Sequence, residues 1–502
     1  MLSLEQYIEQ ARQYGVVPVT AKVLADRYTA VSLLQRFYKG QEGAKEGVFL
    51  LESVEGGEKW GRYSFLGIDA HAFVEIRAET VIVRKCDETA ERSIPHHGQP
   101  LDVLRELMKD YQAGPQPELP RFFGGLVGYF AYEMVSFFEK IPHKLDNEPF
   151  GAFVIPKTIL ILDNLKQVLT ICVATFPDKT SLRENEIRYH DAVREIGKIA
   201  AVLNQPLDAA SSQGEPDLSL TPLLPEREYR KKVEAIKEHI ASGDIIQCVF
   251  SQPFVADEAP DAVSLYRALR FSNPAPYLFF MHLGGTILAG SSPETMIRLE
   301  GRVATLRPIA GTRKRGATEQ EDRRLADEML RDPKEKAEHL MLVDLGRNDL
   351  GRVAKTGTVQ VTDLMFVERH PHVMHLVSNV TAELEDGHDG FDLFRATFPA
   401  GTLSGAPKIR AMQIIAEQET TPRGPYGGAA GYIAYNGNID FAITIRTASI
   451  RDGKLTARAG GGIVYDSVPQ QERLETVNKA MGIALALEIL SQTDIPLEGE
   501  NR

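Results

Sequence analysis

Alternating apolar and polar positions in the second half of the chain predict a series of antiparallel strands. Dipeptides that favour tight turns separate these stretches, namely Glu300-Gly301, Asn436-Gly437 and Asp452-Gly453. Asn-Gly and Asp-Gly accept the positive φ angles that two-residue hairpin loops require. A meander of this kind is antiparallel and argues against a doubly wound parallel sheet. The predicted strands cover residues 295–299, 302–306, 431–435, 439–449 and 455–459.

Two helices follow from the spacing of apolar and capping residues. Between residues 472 and 490, apolar side chains including Leu474, Met481 and Leu485 recur at helical spacing. A second helix begins at Asp332-Pro333, where the aspartate can cap the helix and proline suits its first position. Strands and helices together predict an α+β fold with antiparallel sheets and helices on their outer faces.

A break in composition divides the chain into two parts. Residues 204–225 are rich in Ser, Pro, Gly, Gln and Asp and show little periodicity, which predicts a linker or surface loop. We therefore expect an N-terminal subdomain over residues 1–203 and a larger C-terminal subdomain over residues 226–496.

Composition excludes several classes of protein. The chain has 502 residues, of which 43% are hydrophobic and 25% charged, so it can build a packed core. A net charge of -12 argues against a general nucleic-acid binder, which needs a basic surface. The longest stretch without Asp, Glu, Lys or Arg, residues 271–293, contains three prolines and three glycines, so we expect no membrane span. With three cysteines and no secretion signal, we expect a cytoplasmic protein.

Two pairs of glutamates are the first candidates for chemistry. Glu335 and Glu338 lie three residues apart on one predicted helix, and Glu472 and Glu475 lie three apart on the other. Facing pairs would supply hard oxygen ligands that suit Mg²⁺ better than Zn²⁺. Each pair also has a structural interpretation: Glu335 can complete a helix cap, and Glu472 can be solvated helix surface.

Histidines and an arginine add further candidates. His370, His372 and His375 cluster in sequence, but a strand over 373–377 would turn 375 to the opposite face from the other two, which disfavours a three-histidine zinc site. A single acid/base histidine or a structural one remains open. Arg446 lies within the apolar stretch 441–447, predicted as a strand, so it requires an anionic partner in the protein or in a ligand.

Glycine-rich segments indicate close approach of the backbone to a ligand. Residues 398–408 lead into an apolar helix, and either an anion-binding loop or a plain tight turn explains them. Gly427-Gly428 and Gly460-Gly461-Gly462 have the same potential. These features predict an enzyme site for a small anionic ligand with Mg²⁺, without identifying the reaction.

Four longer motifs stand out along the second half of the chain. They are Pro-Ile-Ala-Gly-Thr at 308–312, Glu-His-Leu-Met-Leu-Val-Asp-Leu at 338–345, Gly-Thr-Leu-Ser-Gly-Ala-Pro-Lys at 401–408 and Gly-Gly-Gly-Ile-Val-Tyr-Asp-Ser at 460–467. These motifs resemble those of the chorismate-utilising enzymes, and within that family the chain looks like the large subunits, component I, of anthranilate synthases. The likeness covers nearly the whole chain and implies a large α/β sandwich of antiparallel sheets with the active site in the cleft.

The resemblance implies a lyase reaction: chorismate and ammonia give anthranilate and pyruvate through aminodeoxyisochorismate, with Mg²⁺, as the first step of tryptophan biosynthesis. It implies that Glu338 and Glu475 bind the metal directly, with Glu335 and Glu472 acting through water or as acid/base groups. It assigns His375 to pyruvate elimination and makes Glu335 and Thr402 further catalytic candidates. The implied substrate-binding residues are Thr312, Gly401, Thr402, Tyr426, Arg446, Gly460, Gly461, Gly462 and Lys479.

The same resemblance implies feedback inhibition by L-tryptophan at a site in the N-terminal part. At Ala275 and Leu278 the chain departs from the usual Asn-Pro-Ser-Pro-Tyr-Met motif, and the second change roughly conserves volume. We therefore expect inhibition to persist. The implied inhibitor-binding residues are Glu52, Ser53, Arg62, Asn273, Pro274, Pro276, Tyr277, Leu278 and Tyr432.

Partners and alternatives also follow from the resemblance. The chain contains no Gly-x-Cys-x-Gly amidotransferase nucleophile, so ammonia from glutamine requires a separate glutaminase subunit, component II, in a heterodimer or a heterotetramer. The nearest alternative is aminodeoxychorismate synthase component I, whose third motif position can be lysine where this chain has Ala310. Water-using relatives place a lysine base where this chain has Gln247, and ammonia needs no such base.

Overall fold

The computed structural model describes residues 1–38, 46–53, 61–207, 218–370 and 373–491. His372, the centre of the predicted linker (208–217) and the last residues of the predicted C-terminal subdomain lie outside these ranges. None of the helices in the described segments has the length and apolar composition that a bilayer crossing requires.

Strands and helices take up similar shares of the described part of the chain, and every ladder between the strands is antiparallel, as the sequence predicts. Their bounds are β1 Val17–Leu24, β2 Phe49–Glu52, β3 Tyr63–Ile76, β4 Thr80–Lys85, β5 Arg92–Pro95, β6 Gly125–Phe130, β7 Gly151–Asp163, β8 Val168–Thr175, β9 Thr221–Pro222, β10 Gln247–Ala256, β11 Tyr277–Leu283, β12 Thr286–Ser292, β13 Thr295–Glu300, β14 Val303–Leu306, β15 Ile309–Lys314, β16 Gln360–Arg369, β17 Val373–Glu383, β18 Gly405–Ala406, β19 Ala429–Ala434, β20 Ile439–Ile443, β21 Thr447–Arg451 and β22 Lys454–Ile463.

Helices pack against these strands, and a short 3₁₀ helix covers Tyr132–Phe137. The α-helices are α1 Leu4–Ala11, α2 Ala30–Phe37, α3 Pro100–Lys109, α4 Leu182–Leu203, α5 Glu226–Ala241, α6 Ala262–Ser272, α7 Glu319–Arg331, α8 Pro333–Gly351, α9 Gly390–Thr397, α10 Gly401–Ser404, α11 Lys408–Gln418 and α12 Pro469–Ser491.

The strands form two layers joined by the long ribbon β3–β7. One layer has the order β9–β10–β22–β21–β12–β11–β2–β3–β7–β8–β1. The other continues from β7 through β6, β19, β20, β13 and β14 to β17, which also pairs with β15 and β16. The pairs β2–β11 and β6–β19 join strands from the predicted N- and C-terminal parts.

Burial alternates along the strands, and this alternation creates two main cores. In β11, Phe279 and Met281 belong to the core between the layers, whereas Leu278 and Phe280 belong to the core beneath the helices. This period of two is what a strand covered on both faces requires. The α+β sandwich with outer helices is thus confirmed.

The structure corrects one predicted strand. Residues 439–449 do not form a single strand, because β20 ends at Ile443 and β21 begins at Thr447 in the other layer. Arg446 lies in the break with a φ of 51°, so it is not a strand residue. The apolar pattern continued through the break because both flanking strands are buried.

Candidate active site and regulatory pocket

The glycines of β22 allow the first turns of α12 to approach the sheet. A Cβ at Gly461 would lie 3.2 Å from Oε2 of Glu472 and 3.6 Å from Oε1 of Glu475. The Nζ of Lys479 donates to the Gly460 carbonyl at 2.9 Å and pairs with Glu475 at 2.7 Å. Larger side chains on this strand would push the helix and its carboxylates away.

The second glutamate pair is held by the N-terminus of α8. Asp332 caps the helix, because its Oδ1 accepts from the Lys334 backbone N–H at 2.9 Å, as the sequence predicts. Glu335 accepts a bond from Arg313 at 2.8 Å, so its carboxylate does not complete a capping box. Glu338 accepts a long 3.4 Å bond from Gln247, whose amide packs 2.2 Å from the Cβ position of Gly462.

Electrostatics connect the two helices. Burial, reinforced by repulsion from Glu335, raises the pKa of Glu338. Burial also raises the pKa of Glu472, and the Glu475 carboxylate adds to that rise. Lys479 of α12 lowers the pKa of Glu338, while Lys334 of α8 lowers that of Glu472, so each helix acts on the other. Among the described residues, no three acidic, histidine or cysteine side chains converge into a ready-made metal site.

His375 lies on β17 opposite Thr312 of β15. Its Nδ1 is 3.0 Å from the Thr312 hydroxyl and 3.3 Å from the Gly311 carbonyl oxygen. Burial, followed by the nearby His370 ring, lowers the pKa of His375 to about 4. The imidazole is therefore neutral at physiological pH and can accept a proton or a hydrogen bond.

Glu294 is a functional candidate that the sequence reasoning missed. The Thr402 hydroxyl donates to its Oε1 at 3.0 Å, and both residues line one small cavity with Gly401. Burial raises the pKa of Glu294 to about 8, which keeps the carboxyl protonated at neutral pH. One sequence feature could have revealed it: Glu294 is the first ionisable residue after the uncharged stretch 271–293.

Arg446 reaches the site from the break between β20 and β21. Its Nη1 donates to the Lys479 carbonyl at 3.2 Å, and burial lowers its pKa. No carboxylate forms an ion pair with it in the described part of the chain, where its hydrogen-bond partner is a neutral backbone carbonyl. Of the two anionic partners that the sequence allowed, the ligand carboxylate therefore stays a prediction. The hydroxyl of Tyr426 lies 2.9 Å from the Cβ position of Gly460, on the same side of the site.

The glycine-rich segment 398–408 does not present its lysine to an open site. Lys408 pairs with the buried Asp349 at 2.6 Å and donates to the Thr397 carbonyl at 3.1 Å. Gly401 is needed for packing, since a Cβ there would lie 2.2 Å from Leu345. Thr402 is the residue of this segment that reaches the site, through Glu294.

A second pocket lies between β2, β11 and β19. Aromatic and polar side chains line it, among them Tyr63, Tyr277, Tyr432 and Ser53. Arg62, Asn273 and Pro274 are not among its lining residues: Arg62 pairs with Asp163 at 2.9 Å, and Asn273 packs against Gly482 of α12. Of the nine residues assigned to inhibitor binding, the pocket brings together Glu52, Ser53, Pro276, Tyr277, Leu278 and Tyr432.

The acids of this pocket have protein partners. We call it the regulatory pocket after the inhibitor site that the sequence resemblance implies. Glu52 accepts from Tyr266 at 2.6 Å and from Arg270 at 2.8 Å. Asp440 accepts from Tyr277 at 2.8 Å and from Arg121 at 2.7 Å. Arg121 and Asp440 were not among the sequence candidates, and they contribute an ion pair between a half-buried arginine and a buried aspartate to the wall.

Comparisons with known proteins agree with this geometry. Residues 53–484 match the profile of the chorismate binding enzyme family. Anthranilate synthase component 1 of Aquifex aeolicus is 43% identical over 98% of this chain and 99% of its own, and that of Acetivibrio thermocellus is 41% identical over 97% and 98%. The crystal structure of anthranilate synthase component I from Streptococcus pneumoniae has a TM-score of 0.74 and 32% identity, covering 92% of this chain and 99% of that one. The chain belongs to the chorismate binding enzyme family, among the anthranilate synthase component 1 proteins.

Proposed function

We propose that the chain converts chorismate and ammonia into anthranilate, pyruvate and water, acting as a lyase. The observation that carries this proposal is the electrostatic influence of two cations on the buried acids and the histidine of the candidate site. Burial raises the pKa values of Glu294, Glu338 and Glu472, and Lys479 opposes each rise. Burial lowers the pKa of His375, and Arg446 adds to that fall, so both cations lie near the proposed acid, base and metal ligands. Arg446 and Lys479 supply positive charge for a substrate with two carboxylates. The names of the relatives support the same reaction.

The proton chemistry is assigned to two residues by their ionisation. Glu294, with its pKa raised to about 8, holds a proton that it can deliver to the departing 4-hydroxyl group. His375, with its pKa lowered to about 4, is neutral and can take up a proton as the enolpyruvyl group leaves. Glu335 is the less suitable acid because Arg313 already donates to its carboxylate at 2.8 Å.

Mg²⁺ suits the glutamate pairs of α8 and α12. Burial and neighbouring carboxylates raise the pKa values of Glu338 and Glu472, and a divalent cation would relieve that repulsion. Mg²⁺ is usually held by one or two carboxylates with substrate and water, so an all-protein cage is not required. Glu338 and Glu475 would hold the ion, with Glu335 and Glu472 around it. When bound, Mg²⁺ supplies charge neutralisation for the ring carboxylate.

Regulation and partnership complete the proposal. The regulatory pocket has an aromatic and polar lining that suits L-tryptophan, with Tyr277 and Tyr432 on its walls. Glutamine-dependent activity requires a glutaminase subunit, in keeping with the component 1 designation of the relatives. The isolated chain should use free ammonia.

A fluorescence assay with chorismate, Mg²⁺ and an ammonium salt tests the proposal. We expect anthranilate emission that disappears with a chelator and falls with L-tryptophan. An aminated chorismate detected by mass spectrometry, without anthranilate, would move the chain to the aminodeoxychorismate branch. Emission that a chelator leaves unchanged would contradict the metal assignment alone.

A further inference from the structure

Asn273 connects the regulatory pocket with the helix that carries two of the candidate metal ligands. Asn273 is the C-cap of α6, and its backbone N–H donates to the Leu269 carbonyl at 2.8 Å. It precedes the pocket-lining residues Pro276 and Leu278 by a few positions along the chain. Its side-chain amide packs against α12, since a Cβ at Gly482 would lie 2.5 Å from Nδ2. A shift of the pocket wall would therefore reach α12 through the contact between the Asn273 side chain and Gly482.

Ser291 provides a second contact on the same route. This buried residue lies on β12 directly opposite Leu278 of β11, so it is paired with the pocket wall. Its hydroxyl donates to the Asn273 carbonyl oxygen. Its backbone N–H donates to the Arg446 carbonyl at 3.1 Å. One residue thus touches the segment that borders the pocket and the arginine of the candidate active site.

Arg446 extends the route to the site itself. Its φ of 51° is sparsely populated for a non-glycine residue and persists only where neighbours impose it. The Ser291 N–H and the Lys479 carbonyl are the contacts that fix its backbone and its guanidinium, respectively. A displacement of Ser291 would change the position of Arg446 without any direct contact between inhibitor and substrate.

We infer that Ser291 and Asn273 are positioning residues that couple occupancy of the regulatory pocket to the placement of Arg446 and α12. Asn273, which the sequence assigned to inhibitor binding, transmits the effect of binding and does not line the pocket. This inference rests on the proposed function, because it takes L-tryptophan as the occupant of the pocket and chorismate as the substrate.

Ser291→Ala tests the link, with inhibitor binding and inhibition measured separately. Calorimetry should give an L-tryptophan Kd within twofold of the parent chain, while the concentration for half-inhibition rises about tenfold or more. Uninhibited kcat should change less than the chorismate KM, because Arg446 binds substrate. Ser136→Ala is the matched control, since that hydroxyl also donates to a backbone carbonyl, at 2.8 Å, and touches neither Asn273 nor Arg446.

Gly482→Ala changes the contact of Asn273 with α12 from the side of the helix. It is the variant to use if Ser291→Ala does not fold. Its new methyl group would displace the Asn273 amide, so half-inhibition should again shift while the L-tryptophan Kd is preserved. Unchanged inhibition in the folded variants would overturn the inference, and so would a loss of inhibition matched by an equal loss of binding. A parent chain that does not bind L-tryptophan would instead reject the proposed regulation itself.

Discussion

The candidate active site and the regulatory pocket both contain buried acids, but the hydrogen-bond and charge partners of these acids differ between the two regions. In the regulatory pocket, Glu52 and Asp440 each accept hydrogen bonds from a tyrosine and an arginine. In the active site, Glu338 accepts a long 3.4 Å bond from the Gln247 amide, and the Glu335 carboxylate repels it. Both acids of the pocket wall thus have an arginine partner, whereas Glu338 forms no ion pair within the described part of the chain.

This difference indicates where each region obtains its stability. A buried acid that accepts hydrogen bonds from well-placed donors holds the surrounding elements together. Removing the acid leaves those buried donors without an acceptor. A buried acid among other acids costs folding free energy until a ligand or cation arrives. The cleft therefore exchanges stability for binding and catalysis, while the regulatory pocket contributes to the core that joins β2, β11 and β19.

Glu294→Gln should have the largest effect. The amide keeps the shape and can still accept from Thr402, but it cannot deliver a proton, so we expect kcat to fall about 10²- to 10⁴-fold. In the parent chain, activity at fixed free ammonia should decline as the pH rises through about 8, because the acid form of Glu294 is then lost. The exposed Glu383→Gln serves as the control, and near-parental activity of Glu294→Gln would remove this residue from the mechanism.

Glu338→Gln should lower activity and raise stability together. We expect the Mg²⁺ concentration for half-maximal activity to rise by more than the about 10- to 100-fold that loss of an outer-shell partner costs, because Glu338 is a direct ligand in our proposal. Without its charge, the repulsion and burial cost that raise the pKa of Glu338 are relieved, so thermal unfolding of the ligand-free chain should occur at a higher temperature. A variant with lower stability would contradict the view that the cleft carries uncompensated charge.

Ser53→Phe should affect the regulatory pocket alone. Ser53 lines the pocket, and a bulky ring there would compete with an inhibitor for space. We expect half-inhibition by L-tryptophan to shift about tenfold or more, equivalent to about 1.4 kcal/mol of binding free energy, with kcat preserved. Inhibition at the parental concentration would show that tryptophan acts elsewhere.

Glu52→Gln should have the opposite stability effect to Glu338→Gln. The change weakens the bonds from Tyr266 and Arg270 inside the core, so we expect a loss of about 1–3 kcal/mol in the free energy of unfolding. Denaturant unfolding of both variants measures the contrast directly. Equal shifts of the same sign would refute the proposed difference between the two regions.

Local patterns sufficed for several elements. The hairpin of β13 and β14, the Asp332 cap and the α12 helix were predicted because turn chemistry, capping and periodicity act over a few residues. The burial of α12 was not predictable in the same way. Leu474, Met481 and Leu485, which supplied its periodicity, are exposed, while Thr476 and Ala480 are among the buried residues.

The candidate site shows the same division. The two glutamate pairs and Arg446 were found because charge at regular spacing or in an apolar stretch is visible along the chain. The contacts of Arg313 with Glu335 and of Thr402 with Glu294 were not predicted. The first two residues are more than 20 positions apart in the sequence, and the second two are more than 100 positions apart. They meet because α8 packs beside β15 and α10 packs beside the segment between β12 and β13.

The sequence by itself determined the antiparallel α+β character, the helix start at Asp332 and part of the chemistry of the cleft, namely the two glutamate pairs and Arg446. These properties depend on residues that are close together in the sequence, so residue type and spacing along the chain are enough to predict them. Only the tertiary structure decided which carboxylates form ion pairs and which repel each other. It also decided why the Glu294 carboxyl keeps its proton, and that the strand is interrupted at Arg446, where the chain passes from one layer to the other. Desolvation and Coulomb interactions depend on distance in space, and the fold sets that distance between residues remote in sequence.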